Sequence, residues 1–417
     1  MRILHTADIH LGEYSGPIKE GKNARMERII RCIESMVTTA ETERPDLILI
    51  SGDVTNKSKL WGDQTLRETQ IVADVLQRFS NVAPTVLLFG TGNHDGYRSY
   101  ETLQKWFKHN PRVRIITKPE FISIDTIQGP VEIAAVPGFD KGHFIAQNPG
   151  ISPTEANLMA SQALGDIIRG LGAQISHFEG APAILMSHYT VAGAQYDNGN
   201  VTIFSEAEVV LTPEAIDSAG FDLTCLGHIH RPQRVQSCAT PTFYSGAIEN
   251  LNFNDEGSEK GFWIHTLSGT EYVGSEYRQT PATEFLTVRP DEETMARYLD
   301  GAGMVQEWAA DYGDKIVRVR YTVSAENSKR VDRARIEREL YEAGAFWVAE
   351  VTPDRISEDL VRVDIEDGLD VESALEKWMD AAGVPEETRL ELRAAARPII
   401  AEVDAGTMTG KHNGIIS

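Results

Sequence analysis

Seven side chains that can bind a metal ion stand at the ends of predicted strands. Each follows a run rich in Val, Ile or Leu and precedes a polar or Gly-rich loop, which is where α/β sheets present their chemistry. Asp-x-His and His-x-His spacing puts both side chains of each pair on one face of a strand. The seven residues are Asp8, His10, Asp53, Asn93, His188, His228 and His230.

These side chains offer oxygen or imidazole nitrogen and no thiolate, a ligand set that favours Mn²⁺, Fe²⁺ or Zn²⁺ over a soft metal. Two divalent ions about 3.5–4 Å apart would neutralise a phosphate ester and lower the pKa of a bound water to about 7. We expect Asp53 to bridge the two ions, because its strand is predicted at the centre of the site. A single Asp-x-His pair is more often structural, but five such elements in order favour a metal site.

The order Asp-x-His, Gly-Asp, Gly-Asn-His-Asp, His and Gly-His-x-His resembles that of the calcineurin-like metallophosphoesterases. Within this superfamily the chain resembles the SbcD family, the nuclease subunit of the bacterial and phage SbcCD complex. Three stretches carry this second resemblance, namely residues 3–12 (ILHTADIHLG), 225–233 (CLGHIHRPQ) and 244–262 (YSGAIENLNFNDEGSEKGF). The resemblance extends over about the first 280 residues and continues more loosely through residues 315–354.

The resemblance implies roles for the site residues. One ion would be coordinated by Asp8, His10 and His230, and the other by Asn93, His188 and His228. The expected cofactor is two Mn²⁺ ions. His94 would donate a proton to the leaving 3′ oxygen, since imidazole titrates near neutral pH as a general acid should. The alternative is that His94 only hydrogen-bonds a ligand or a phosphate. We expect Asp95 to orient His94 or to cap the next turn.

The resemblance also implies an α/β fold, a four-layer sandwich of two mixed β-sheets flanked by helices, in residues 1–278, where apolar spacing predicts a helix over residues 24–43. Residues 284–366 alternate strand and helix patterns, including a predicted helix over residues 295–308 and a predicted strand over residues 360–365. This region resembles the smaller α+β capping, DNA-binding domain of SbcD-like nucleases. Residues 371–403 contain two predicted helices separated at Gly383, Val384 and Pro385, and Pro398 is expected to bend or end the second one. Residues 404–417 have no periodicity and are predicted to be a flexible tail.

Charge and cysteine content limit the classes of function. The net charge of −22 is unusual for a protein that binds DNA, because an acidic surface repels phosphates; two bound ions would make the site itself positive. The chain has no 18-residue apolar run and no N-terminal signal pattern, which predicts a soluble, cytoplasmic protein without membrane contact. Cys32, Cys225 and Cys238 lack CxxC spacing and are predicted to be buried free thiols. The remaining histidines match no motif and are expected to have core or surface roles; among them are His5, His109, His143, His177 and His265.

A cluster of cations and one departure from the family pattern concern the substrate. Five cations in ten residues stand near the start of a predicted helix, namely Lys329, Arg330, Arg333, Arg335 and Arg338. The first three are the candidates for contact with a phosphate backbone. The alternative is a solvated helix face, with Glu337 and Glu339 interleaved. The family pattern is interrupted after Asp53, where Val54, Thr55 and Asn56 replace a bulky apolar residue and an Asp or His. This departure puts in question any help that the segment gives to metal geometry or DNA placement.

The predicted function is a metal-dependent DNA nuclease, an exonuclease that could also cut internally, acting in DNA repair and recombination. By resemblance it would pair as a homodimer through residues 65–79 and 100–107, although these helices could instead pack only on their own sheet. Residues 371–403 would bind an SbcC-like ATPase or, alternatively, pack back on the capping domain. One alternative function is a small-molecule or cyclic-nucleotide phosphodiesterase, which would not need residues 284–403. Another is a catalytically silent scaffold, which the retained ligands and His94 disfavour.

Overall fold

The computed structural model describes residues 1–56, 63–91, 94–138, 150–196, 202, 208–354, 371–381 and 384–404. The chain divides into two compact units, Met1–Pro353 and Asp354–Ser417. In chain order the described strands are β1 (Arg2–Thr6), β2 (Ile18–Lys19), β3 (Lys22–Asn23), β4 (Leu47–Ile50), β5 (Thr85–Leu88), β6 (Val113–Ile116), β7 (Glu120–Thr126), β8 (Gly129–Val136), β9 (Ala183–His188), β10 (Thr190–Val191), β11 (Val210–Leu211), β12 (Leu223–Gly227), β13 (Gln233–Arg234), β14 (Thr242–Tyr244), β15 (Gly261–Ser268), β16 (Glu271–Gln279), β17 (Phe285–Val288), β18 (Ile316–Tyr321) and β19 (Trp347–Pro353).

Helices cover much of the remaining described chain. They are α1 (Ala24–Glu43), α2 (Asp63–Val82), α3 (Tyr97–Trp106), α4 (Pro153–Gly172), α5 (Pro213–Asp217), α6 (Glu292–Leu299), α7 (Ala325–Ser328), α8 (Arg333–Glu342), α9 (Val371–Ala381) and α10 (Glu386–Asp404). The prediction of residues 24–43 as a helix is confirmed in full, since Asn23 caps its start by accepting a hydrogen bond from Met26 N and Arg44 ends it in the left-handed conformation. No helix among the described residues is long and apolar enough to cross a bilayer.

Two six-stranded mixed sheets form the centre of the first unit. Their strand orders are β16-β15-β1-β4-β5-β6 and β13-β14-β12-β9-β8-β7. In each sheet four strands pair in parallel, β1-β4-β5-β6 and β14-β12-β9-β8, and the other strands pair antiparallel. Ile3 and Val86 from the first sheet share a core with Ile133 and Met186 from the second, so the sheets are stacked face to face.

Helices cover the outer faces of both sheets. Apolar residues of α1, α2 and α3 pack with Ile48 and Leu87 of the first sheet, and those of α4 and α5 pack with Leu185 and Leu226 of the second. Because the central strands are covered on both faces, β4 (LILI) and β5 (TVLL) are buried along their whole length. The predicted α/β sandwich of mixed sheets between helical layers is therefore confirmed.

A three-stranded parallel sheet, β17-β18-β19, follows within the same unit. Parallel strands need crossover connections, and α6 and α8 lie in them. The prediction of one helix over residues 295–308 is wrong: α6 ends at Leu299, and a separate 3₁₀ turn covers Val305–Glu307. Gly301 adopts φ +75° just after α6, a conformation that ends helices. The strand predicted at residues 360–365 lies outside the described residues, and the proposed domain division stays a prediction.

Two helices lie in the described part of the second unit, residues 371–381 and 384–404. Arg389 pairs with Asp380 at 2.5 Å, and a nitrogen of Arg393 lies 2.9 Å from an oxygen of Glu376, so ion pairs connect α9 and α10. Helix α10 does not end at Pro398 but continues to Asp404. A proline removes one hydrogen bond of the preceding turn, and the remaining bonds are evidently sufficient for the helix to continue. Most of the predicted tail, residues 405–417, lies outside the described residues.

Candidate metal centre

Four loops that leave the carboxyl ends of parallel strands form the candidate centre. Asp8 and His10 follow β1, Asp53 follows β4, His188 ends β9, and the loop after β12 carries the remaining two histidines, His228 and His230. The first two loops are joined by hydrogen bonds from Asp8 N to Gly52 O and from His10 N to Asp53 O, both 3.0 Å long. Strands of both sheets thus direct their loops to one place, as the strand-end pattern predicted.

Six of the seven expected ligands lie together at this place, and Asn93 lies outside the described residues. The Nε2 atoms of His10 and His230 are 3.0 Å apart, and His188 Nε2 is 3.2 Å from Asp53 Oδ2 and 3.9 Å from Asp8 Oδ1. The ring centroids of His188 and His228 are 5.4 Å apart. Potential ligand atoms lie within 4.8 Å of one another in three overlapping sets, Asp8–His10–His230, His10–Asp53–His94 and Asp8–Asp53–His188.

Strained backbone marks the same residues. Asp8, His10, Asp53 and His228 have φ values of +50°, +48°, +50° and +98°. Non-glycine residues rarely adopt positive φ, and such strain, which costs about 1–3 kcal/mol per residue, concentrates at functional sites. Close packing of glycine backbone holds the loops in place: a Cβ atom on Gly90 would lie 2.1 Å from Asp53 Oδ1, and one on Gly227 would lie 2.6 Å from His188 Nδ1.

Electrostatic coupling shifts the protonation of the cluster. Burial acts to raise the pKa of Asp53, but the adjacent His188 outweighs it and the pKa lies well below its usual range. Conversely, burial acts to lower the pKa of His188, but Asp53 raises it to about 10. Burial raises the pKa of Asp8, lowers that of His228 to about 4 and lowers that of His10 well below its usual range. Asp53 and His188 thus each stabilise the charged form of the other.

The residues fit divalent cations. His10 Nδ1 and His94 Nδ1 are buried and make no hydrogen bond, although buried polar atoms in proteins are nearly always partnered. Carboxylate and imidazole donors converge from four loops, and no thiolate is present among them, which suits Mn²⁺, Fe²⁺ or Zn²⁺. The second ring nitrogen of His188 contacts Ser51 O at 2.6 Å, an arrangement that fixes the orientation of a ligating imidazole.

Comparison with family models matches residues 1–232 to the calcineurin-like phosphoesterases. This match spans more than half of the chain and contains every candidate ligand. The chain belongs to the calcineurin-like phosphoesterase family. The cluster is accordingly the candidate dimetal centre of a metallophosphoesterase, and the family identifies the protein as a metal-dependent hydrolase of phosphate esters.

Solved structures with a similar arrangement have low identity to this metallophosphoesterase. One is a protein of Thermus thermophilus with 15% identity, a match over 66% of this chain and 98% of its own, and a TM-score of 0.36. A second protein of Thermus thermophilus, described as hypothetical, has 12% identity, a match over 67% of this chain and 100% of its own, and a TM-score of 0.36. A dimetal phosphatase from Danio rerio has 11% identity, covers 67% of this chain and 99% of its own, and has a TM-score of 0.40. The family match and the two observed mixed sheets establish the fold class.

Asp95 of this metallophosphoesterase connects two metal loops, a role that the sequence did not suggest. Its carboxylate accepts hydrogen bonds from the backbone N–H groups of Asp53, Val54, Thr55 and Gly90 and from the Tyr100 hydroxyl, at 2.7–3.1 Å. The expectation that Asp95 orients His94 or caps the next turn is wrong, because these donors occupy its carboxylate and Gly96 begins α3 without a side-chain cap. Burial, and then the charge of Asp53, raise the pKa of Asp95 to about 6.

The segment that departs from the family pattern contributes to the same framework. Thr55 Oγ1 donates to His94 O at 3.0 Å, and Leu11 N donates to Val54 O at 2.9 Å. His94 itself lies edge-on to His10, with 4.5 Å between ring centroids. Val54 and Thr55, which stand in place of the usual family residues, therefore support the loop that carries His94.

Asp255 and Lys260 support His230 and were also missed. The Asp255 carboxylate lies 3.9 Å from His230 Nδ1, and the buried Lys260 ammonium donates to His230 O at 3.2 Å and to Asp255 at 3.4 Å. Burial acts to raise the pKa of Asp255, but His230 and Lys260 outweigh it and hold the pKa well below its usual range. Both residues lie in the 244–262 stretch. The resemblance of this stretch to SbcD was the only indication in the sequence that they belong to the site.

Proposed function

We propose that this metallophosphoesterase is a DNA nuclease, the counterpart of the SbcD subunit. The observation that carries the proposal is the parallel sheet β17–β19, which packs close to the metal loops within the first unit. Tyr14 donates to His10 O at 3.1 Å, and the Arg25 guanidinium lies 4.7 Å from the Tyr14 ring and 5.3 Å from the Phe285 ring. Hydrolysis of a small phosphodiester needs only the metal pocket, whereas a duplex needs an adjoining surface of this kind.

The chain's residues suit hydrolysis of a phosphodiester. Asp8, His10 and His230 would hold one ion, and Asn93, His188 and His228 the other, with Asp53 between them. Two divalent ions, which we propose to be Mn²⁺, would neutralise the phosphate and supply a nucleophile near neutral pH. His94, next to His10 and Asp53, would give a proton to the leaving oxygen, and its buried Nδ1 has no hydrogen bond that would compete with this role.

Two exposed cations on the added sheet module favour a polyanionic substrate. Arg330 pairs with Asp300 at 2.7 Å, so it is partly neutralised. Lys329 and Arg333 are exposed, and among the described residues neither forms an ion pair within 4 Å. We therefore assign phosphate contact to Lys329 and Arg333 in preference to Arg330.

The test is hydrolysis of a duplex labelled at one end, measured in Mn²⁺ beside a cyclic nucleotide and a chromogenic phosphodiester. The proposal expects duplex cleavage that Asp53→Ala abolishes. Lys329→Ala with Arg333→Ala should weaken duplex binding and reduce its salt dependence, whereas the control Lys118→Ala, an exposed lysine elsewhere on the surface, should not. Hydrolysis of the small esters without cleavage of DNA would identify a small-molecule phosphodiesterase instead, and a lack of all hydrolysis would indicate a scaffold.

The partners of SbcD-like subunits extend the proposal to the second unit. Val371, Trp378 and Leu390 are exposed apolar side chains of α9 and α10, while Met379 is fully buried. We propose that the exposed side chains bind an SbcC-like ATPase. Removing residues 368–417 should preserve Mn²⁺-dependent cleavage and abolish co-purification with that ATPase. Undiminished binding by the shortened chain would move the docking site elsewhere.

A homodimer through α2 and α3 is the second proposed association. Most of the predicted apolar residues of these helices, including Val72, Phe79 and Leu103, pack into the protein's own core. Leu66 and Trp106 remain 52% exposed and are the residues available for pairing. Sedimentation should give a dimer that Leu66→Glu with Trp106→Glu dissociates, while Ile127→Glu, at an exposed apolar side chain on the β7–β8 turn, leaves it intact. A wild-type monomer at micromolar concentration would contradict the proposal.

A further inference from the structure

A second cluster of metal-binding side chains lies between the two sheets, outside the loops of the dimetal centre. His5 on β1 and His265 on β15 come from the first sheet, and Cys225 on β12 comes from the second. All three residues are 0% exposed, and one potential ligand atom from each lies within 4.8 Å of the others. The cluster therefore joins the inner faces of both sheets.

Hydrogen bonds within the protein account for only part of this cluster. His5 Nδ1 contacts His265 Nε2 at 3.2 Å, and His265 Nδ1 contacts Ser275 Oγ at 2.6 Å. The Tyr272 hydroxyl continues the chain, 2.7 Å from Ser275 Oγ. The His5 ring also lies within reach of the Leu226 backbone, but its Nε2 atom makes no well-aligned hydrogen bond, and Cys225 is a free thiol. A buried imidazole nitrogen without a well-aligned partner is unusual in a native core.

Burial also gives the three side chains the protonation state that metal binding needs. It lowers the pKa of His5 to about 3 and that of His265 well below its usual range. Both imidazoles are therefore neutral at physiological pH, as metal ligands must be. Burial raises the pKa of the Cys225 thiol well above its usual range, so an ion must displace the thiol proton, which coordination to a divalent metal does.

We propose that His5, Cys225 and His265 form an additional metal site for one thiophilic divalent ion, of which Zn²⁺ is the best example. Two imidazoles and one thiolate are softer donors than the carboxylates and imidazoles of the dimetal centre, so the two places differ in metal preference. On binding, the Cys225 S–H bond breaks, a sulfur–metal bond forms and one proton leaves to solvent.

Such an ion would tie together the strands that carry the catalytic loops. His5 precedes Asp8 by three residues on β1, and Cys225 precedes His228 by three residues on β12. These two loops already contact each other, because His228 N donates to both oxygens of Asp8 at 2.9 and 3.0 Å. The site would therefore fix the separation of β1 and β12 from inside the sandwich, which makes its role structural and independent of the proposed substrate.

Cobalt substitution tests the site without any measurement of activity. The full chain is produced in medium containing Co²⁺ so that the ion enters during folding, and bound metal is counted. A thiolate bound to Co²⁺ gives a sulfur-to-metal charge-transfer absorption, which the dimetal centre cannot give because none of its ligands is sulfur. We expect this absorption in the wild-type protein and one more bound ion than the dimetal centre accounts for.

Matched cysteine variants locate the sulfur. Cys225→Ala should lose the absorption and one ion per chain, and His265→Gln should weaken both. Cys32→Ala and Cys238→Ala, which remove the other two buried thiols, should leave both measurements unchanged. A wild-type protein without the absorption, or an absorption that persists in Cys225→Ala, would overturn the proposal. The wild-type measurement decides the question even if a variant fails to fold.

Discussion

Replacing Asp95 by Asn should destabilise the metal loops more than any other isosteric change of a side chain that is not itself a ligand. Oδ2 of Asp95 accepts from Asp53 N, Gly90 N and the Tyr100 hydroxyl, and Oδ1 accepts from Val54 N and Thr55 N. An amide has only one oxygen. In either orientation of Asn, two buried backbone N–H groups would face an NH₂ group and lose their acceptor.

The magnitude follows from the number of groups left without a partner. A buried donor that loses its acceptor costs about 1–3 kcal/mol, so two donors cost about 2–6 kcal/mol. Burial and the charge of Asp53 raise the pKa of Asp95 to about 6, which means that the buried carboxylate itself carries a cost that Asn removes. We therefore expect a loss at the lower end, about 2–3 kcal/mol in the free energy of unfolding, and metal affinity reduced about 10–100-fold because Asp53 is released.

Urea unfolding of the metal-free protein, followed by tryptophan fluorescence, measures the first quantity, and calorimetric titration with Mn²⁺ measures the second. Asp74→Asn is the matched control, because the same substitution on the exposed face of α2 should change the unfolding free energy by less than about 0.5 kcal/mol. The expected loss of two buried hydrogen bonds is wrong if the free energy of unfolding of Asp95→Asn lies within about 0.5 kcal/mol of the wild-type value and the variant binds metal equally well.

Three further predictions concern the same chain. Asp53→Ala should lose both ions by metal analysis, whereas His94→Gln should keep two ions and lose about 10²–10⁴-fold in turnover; full activity of His94→Gln would assign the proton donor elsewhere. Gly90→Ala should lower the free energy of unfolding by about 1–3 kcal/mol or more, because the new Cβ would lie 2.1 Å from Asp53 Oδ1. The control is Gly170→Ala in α4, where a Cβ meets nothing within 4 Å; it should stabilise the protein by about 0.5–1 kcal/mol. Hydrogen bonds from Arg278 hold the pKa of Glu43 below its usual range, so Glu43→Gln should lower the free energy of unfolding by at most about 1 kcal/mol at pH 7. Urea unfolding at a series of pH values measures this difference. It should fall toward zero as the pH drops from the usual glutamate pKa through the lower pKa of the folded protein.

The sequence could predict the loops of the metal centre because their information is local. A strand pattern followed by Asp-x-His or His-x-His fixes both the end of the strand and the direction of the side chains. Parallel strands then bring such ends to one edge of each sheet. Asp8 and His230 are more than two hundred residues apart, yet only the family motif order was needed to group them. Nothing in the spacing itself established that the two sheets stack with their loops together.

Interactions that depend on tertiary packing could not be predicted in this way. Asp95 binds backbone groups about forty residues away, and a backbone N–H group leaves no mark in the sequence. Apolar periodicity in α2 and α3 indicated the helices correctly but could not separate side chains that pack on the protein's own sheet, such as Val72, from those that remain exposed, such as Trp106. The helix predicted at residues 295–308 failed because its apolar spacing continued past Gly301, whose positive φ decides where the helix ends.

The strain in the metal loops indicates that the protein framework holds the candidate ligands in place. Four ligand residues have positive φ, and at about 1–3 kcal/mol each this strain is comparable with the whole stability of an ordinary domain. It persists because hydrogen bonds between the loops, the Asp95 carboxylate and glycine backbones that exclude a Cβ leave the chain no relaxed alternative. A framework of this kind also holds Asp53 and His94 close together, which is the positioning that the proton transfer proposed for His94 would require.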